Sequence, residues 1–234
     1  MTTTATPMTL IDVFVAPQSL FDKLNAAKKY SYLALALLMA VSAGGVFAFF
    51  DGMSVDWIVQ QQMLHVDASG AEKEAAEQFM RDAAPHTGII GAVMVVIMLL
   101  VTTALYAGYF LLAHKAGGAN KKSLAYGDWF SVGVWSQMPM LLSTLGFIAL
   151  FATAASPDLP ISLPNYASLN QLVTGFVPGD ALFTWAESLN LFYFWSIALV
   201  SIAFQRLSDM SVVKSVTLSI APYIAVFGLW FVVA

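Results

Sequence analysis

The residue types best suited to metal binding or proton transfer in this chain are three histidines, His65, His86 and His114. They share no metal-ligand spacing, and the topology derived below puts the first two outside a membrane and the third inside. No zinc or di-iron site is expected from them. Cysteine is absent, which excludes disulfides, thiolate zinc sites and a cysteine nucleophile. Gly117-Gly118 is a lone pair, not a phosphate-binding loop after a strand, and no Ser-His-Asp arrangement follows from spacing. The reading is of a non-enzyme with no catalytic, cofactor-binding or metal site.

Other chemistry must come from polar groups inside apolar runs. Gln137, Asn190 and Gln205 are the strongest of these. They form a candidate polar core, either hydrogen-bonding between helices at about 1 kcal/mol each or touching a substrate. Pro139 and Pro222 are candidate kinks: each lacks an N–H and so frees the carbonyl four residues earlier, Trp135 and Leu218. Those carbonyls with Ser136, Ser143 and Ser219 offer oxygens for a sodium ion, but no carboxylate would balance its charge. A charged set, Asp128, Arg206, Asp209 and Lys214, forms a candidate inner-face cluster. It reads as a salt-bridge network with Asp128 paired to Arg206, or as a solvated flank.

The elements that position these groups are membrane helices. Of 234 residues 59% are hydrophobic and 10% charged, against about 25% charged in a soluble domain. Five stretches, 30–50, 87–113, 129–157, 188–205 and 215–234, contain no Lys, Arg, Asp or Glu. Each suits a span of about 20 residues, the fourth being the shortest. The expected fold is all-α: a five-helix membrane bundle with short interfacial helices. With the N-terminus inside, inner segments hold eight basic residues, Lys23, Lys28, Lys29, Lys115, Lys121, Lys122, Arg206 and Lys214, against Lys73 and Arg81 outside. That bias sets a cytoplasmic N-terminus and an outside C-terminus.

Residues 1–29 read as a cytoplasmic segment and 30–234 as the membrane domain. Asp12, Asp22, Pro7 and Pro17 do not suit a cleavable signal peptide, so the first span is expected to stay as an anchor. Pro17 opens an amphipathic helix whose face Leu20, Phe21 and Leu24 lies on the membrane or packs on the bundle. The outer loop 51–86 carries a capping-box pattern at Ser69–Glu72, an i,i+4 pair Glu77–Arg81, and an apolar side of Ala75, Ala76, Phe79 and Met80. The second outer loop, 158–187, is apolar, with a short helix expected over 165–176. Pro178-Gly179-Asp180 makes a turn whose Asp180 caps a helix running into the fourth span. Small residues recur at i,i+4, as at Gly88–Ala92, Ala104–Gly108 and Ser215–Ser219, and suit close helix approach within the chain or between copies.

Several stretches together resemble a known family. Tyr109–Gly118 (YFLLAHKAGG) ends a span before a basic loop, Ser136 and Pro139 follow in the next span, Phe192-Tyr193-Phe194-Trp195 opens the fourth, and Met210–Lys214 precedes the span bearing Pro222. In order and spacing they resemble the Yip family of polytopic membrane proteins, named for interaction with Ypt/Rab GTPases, in its compact bacterial branch. The resemblance implies a five-helix membrane domain with a cytoplasmic N-terminus, no known catalytic site, and in eukaryotic relatives a link to membrane traffic. The chain lacks those relatives' long N-terminal region and D-L-Y-G-P motif, so Rab GTPase binding is not carried over. Expected partners are membrane lipids, with membrane proteins or a second copy; no basic run points to nucleic acid. The expected role is organising lipids or partner proteins, from an inner membrane of bacterial type. The alternative is a lipid or small-solute carrier or channel, marked by a lateral opening lined by Gln137 and Asn190.

Overall fold

The computed structural model describes residues 10–117 and 123–234. Pro7, Gly118, Lys121 and Lys122, which figured in the sequence reading, lie outside them. In chain order the α-helices are α1 (Asp12–Val15), α2 (Pro17–Asp22), α3 (Leu24–Asp51), α4 (Val55–Met63), α5 (Ala71–Ala83) and α6 (Thr87–Gly117), followed by α7 (Tyr126–Ser136), α8 (Met138–Ala152), α9 (Phe183–Ser188), α10 (Phe192–Ser208) and α11 (Val212–Val233). Short 3-10 turns occupy Ala84–His86 and Leu163–Asn165, and a π-turn occupies Asn170–Thr174. Among the described residues no strand forms, and one isolated bridge pairs Ser168 with Asn190.

Among the described residues four helical stretches are long and apolar enough to cross a membrane: Leu24–Asp51, Ala71–Gly117, Tyr126–Ala152 and Val212–Val233. The 17-residue α10 is the fifth of the expected helices, and at about 26 Å long it nearly matches a hydrocarbon core of about 30 Å. α3, α6 and α11 run past the charge-free stretches that announced them, while the third stretch ends its helix early at Ala152 and the fourth begins its helix late at Phe192. α3 starts at Leu24 and contains Lys28 and Lys29, because those side chains fit a helix as well as leucine does.

The chain forms two compact units. One takes the described part of Met1–Leu38 with Leu99–Pro139 and Phe194–Tyr223; the other takes Met39–Met98, Met140–Tyr193 and Ile224–Ala234. In the first unit seven of the eleven residues of α7 are buried, all between Trp129 and Ser136. Trp129 packs on Phe204 at 5.2 Å between ring centroids and on Phe110 at 6.2 Å. The N-terminal helices belong to this core: Val13, Leu20, Phe21 and Leu24 are buried, and the Phe14 ring meets Trp195 edge-on at 5.5 Å. Of the two placements open for the α2 face, the observed one is packing on protein.

In the second unit Phe49, Met53, Ile58, Val59, Ala84 and Phe147 form one hydrophobic cluster. Half of it comes from α4 and its approach, an element the sequence reading passed over. Ser54 caps α4 by accepting from the Trp57 N–H at 3.3 Å. Its backbone N–H and hydroxyl both donate to Asp158, at 2.8 and 2.9 Å, and the Trp57 indole donates to the Leu159 carbonyl at 2.7 Å. The small residues of α6 are partly spent within the unit: a Cβ on Gly88 would come within 3.1 Å of the Phe47 carbonyl oxygen.

Two local expectations change, and the expected Glu77–Arg81 pair forms with a closer partner beside it. The Ser69–Glu72 capping box does not form; Gly70, at φ +57°, is the N-cap of α5 and no side chain caps it. A positive φ is open to glycine and closes the loop without a capping hydroxyl. On α5, Arg81 pairs with Asp56 at 2.5 Å more closely than with Glu77 at 3.5 Å. The Asp56 hydrogen bond, then the charge attraction, raises the Arg81 guanidinium above its ordinary range. Asp180 does not cap a helix into the fourth span: its carboxylate accepts from the Val177 N–H at 2.9 Å, closing the turn around Gly179. α9 starts three residues later and stops at Ser188.

Candidate functional site

The polar interior of the first unit is built around the end of α7. The Gln137 N–H turns back to the Val134 carbonyl at 3.1 Å instead of reaching Gly133, and Pro139 has no N–H to offer Trp135. The helix therefore stops at Ser136 and restarts at Met138. The Gly133 carbonyl, left by its backbone donor, receives the Gln137 side-chain amide at 3.2 Å. The same nitrogen donates to the Thr103 hydroxyl on α6 at 2.7 Å, and Thr103 donates to the Leu99 carbonyl at 2.6 Å. Gln137 thus stitches a break in its own helix and ties it to α6.

The second proline is handled differently. Pro222 sits inside α11, so the Leu218 carbonyl lacks its N–H partner four residues on. The Tyr109 hydroxyl of α6 donates to that carbonyl at 2.7 Å. Between these features lies a small cavity lined by Tyr106, Phe110, Gly133, Ser136, Gln137, Ser196, Val200, Ser219 and Tyr223. It measures about 10 Å³, room for about one water. The Ser219 hydroxyl donates to the Ser215 carbonyl at 2.7 Å. Ser136, only 3% exposed, has no hydrogen-bond partner for its hydroxyl.

Of the expected polar core, Gln137 alone reaches this cavity. Gln205 donates to Ser201 of its own helix at 3.2 Å. Asn190 belongs to the other unit, where its side chain accepts from the Phe192 N–H at 2.9 Å and opens α10. The chain needs that cap because the paired backbone bonds Leu169 N–H to Leu189 and Leu191 N–H to Ala167 pull 189–191 out of helical geometry. Ser143, also considered for sodium, lies in the other unit.

The charged set also divides. Asp128 takes Lys28 at 2.8 Å and caps the start of α7 by accepting from the Ala125 N–H at 2.8 Å. Arg206 grips Asp22 through two bonds of 2.9 and 2.6 Å. Lys214 donates to the Gly117 carbonyl at 2.7 Å. Asp209 is exposed, at φ +54°, outside both ion pairs. The expected Asp128–Arg206 pair is replaced by two pairs, each running to the N-terminal segment. His114, near these groups in sequence, is buried with Nδ1 2.8 Å from the Ser208 hydroxyl.

The second unit holds a wider pocket of about 380 Å³, lined among others by Gln61, His65, Pro160, Gln171 and Phe183. Behind its wall the buried Glu187 carboxylate accepts from Asn170 at 2.8 Å and Gln171 at 2.6 Å through one oxygen. The π-turn that carries Asn170 and Gln171 ends at Gly175 in the left-handed region, φ +63°.

Long apolar helices around a hydrogen-bonded interior define an integral membrane protein, all-helical and polytopic. The chain belongs to the Yip1 domain family, whose model matches residues 11–234, nearly its whole length. No curated protein and no solved structure matches it. The family is not known for an enzymatic activity.

Proposed function

We propose that this Yip1 domain protein acts without covalent chemistry, organising membrane lipids or partner proteins in the plane of the membrane. Its N-terminus is cytoplasmic and its C-terminus outside, on the eight-to-two distribution of Lys and Arg; the membrane is an inner, cytoplasmic one of bacterial type. One observation carries the reading. Where both helix prolines meet polar side chains, Gln137 is pinned by two bonds beside a cavity of about 10 Å³. A carrier would be expected to open there, and the room is enough for about one water.

The second reading, a lipid or small-solute carrier, is favoured by the pocket of about 380 Å³ in the second unit, a volume typical of small-ligand sites. Reconstitution of the full chain into sealed liposomes with imposed proton and sodium gradients separates the two. The proposal expects no gradient-driven solute uptake and a reproducible set of lipids retained on purification. Uptake that is lost in Gln137→Leu or Ser136→Ala would overturn it.

A further inference from the structure

We infer that the cavity at the α7–α8 break is a binding site for one water molecule, held by Ser136. The Ser136 hydroxyl is buried at 3% exposure, lines the cavity and has no protein partner among the described residues. A buried hydroxyl left unpaired costs about 1–3 kcal/mol. The cavity of about 10 Å³ fits the least volume that admits a water, and a buried water needs two to four polar partners. The lining supplies them. Ser219 spends its hydrogen on Ser215 and keeps an acceptor. Gln137 uses only its nitrogen, on Thr103 and Gly133, so its amide oxygen is not engaged in either bond.

A small cation has a similar size, and the charge balance decides against it. No carboxylate lines the cavity, and an unpaired ion in an apolar interior is far costlier than a neutral dipole. A water suits the place for a further reason. Helices broken at proline inside membranes are completed by side chains and ordered waters, and α7 ends on Ser136 itself.

The experiment is a structure of the full chain in nanodiscs, at a resolution that shows ordered solvent, in sodium and in thallium buffers. One peak within hydrogen-bond distance of Ser136 Oγ is expected, equal in both buffers and lost in Ser136→Ala. An empty cavity overturns the inference. So does a peak that strengthens in thallium, which would mark a cation, and so does a peak that persists in Ser136→Ala. The two wild-type maps decide the first two outcomes even where the variant folds poorly.

Discussion

Removing the Tyr109 hydroxyl tests how the fold accommodates a proline inside α11. In Tyr109→Phe the ring stays and the 2.7 Å bond to the Leu218 carbonyl goes. That carbonyl has no helical donor, because position 222 is proline. An unsatisfied carbonyl costs about 1–3 kcal/mol in a buried setting, while hydrogen bonds between membrane helices average about 0.6 and reach about 1.7 kcal/mol. Both groups are half-buried, so a loss of about 1 kcal/mol is expected. The decisive comparison is Tyr109→Phe in a Pro222→Ala background, where the alanine N–H can serve Leu218. There the loss should fall to about half or less, giving a coupling of roughly 0.5 kcal/mol or more between the two sites. The assay is reversible unfolding of purified protein in mixed micelles, followed by tryptophan fluorescence. Equal losses in the two backgrounds would refute the argument that the tyrosine replaces the donor that proline removes.

Four further outcomes are expected. Lys28→Gln and Asp128→Asn should couple by about 1 kcal/mol or less, as for a partly exposed pair, as should Asp22→Asn and Arg206→Gln; Asp128→Asn with Arg206→Gln should be additive in the same unfolding assay. Gly88→Ala should lower the melting temperature, since its Cβ meets the Phe47 carbonyl oxygen at 3.1 Å, whereas Gly108→Ala, with nothing within 4 Å, should hold or raise it. Single cysteines at Ala119 and Ser69 should label from opposite sides of the membrane, and labelling from one side would break the proposed topology. Trp57→Phe should destabilise by about 1 kcal/mol, the worth of its bond to the Leu159 carbonyl, read by thermal unfolding.

The spans were legible because the bilayer demands long apolar runs, and a run such as 87–113 has no other use. Helix ends were less so: apolarity reports contact with lipid, while the backbone continues helical through Lys28, Lys29 and Lys115. The Leu218 carbonyl, freed by Pro222, could be named from sequence as needing a donor, yet nothing in spacing pointed to Tyr109, which is 109 positions away. The charged cluster misled for a related reason. Adjacency of consecutive spans suggested Asp128 with Arg206, but the N-terminal segment brings its own Lys28 and Asp22 to those groups. α4 was missed because its mixed polar sequence, VDWIVQQQM, lacks the length of a span, and the capping signal of Ser54 ahead of it was not used.

The bond between Asp22 and Arg206 joins residues 184 positions apart, and that separation is also a delay. In a chain made from its N-terminus at about 5–20 residues per second, Arg206 follows Asp22 by roughly 10–40 s. Through that interval Asp22 has no Arg206 to pair with, and Leu20 and Phe21 beside it are fully covered only in the finished protein. The ion pair that ties the end of α2 to the end of α10 can therefore form only after most of the chain has been made.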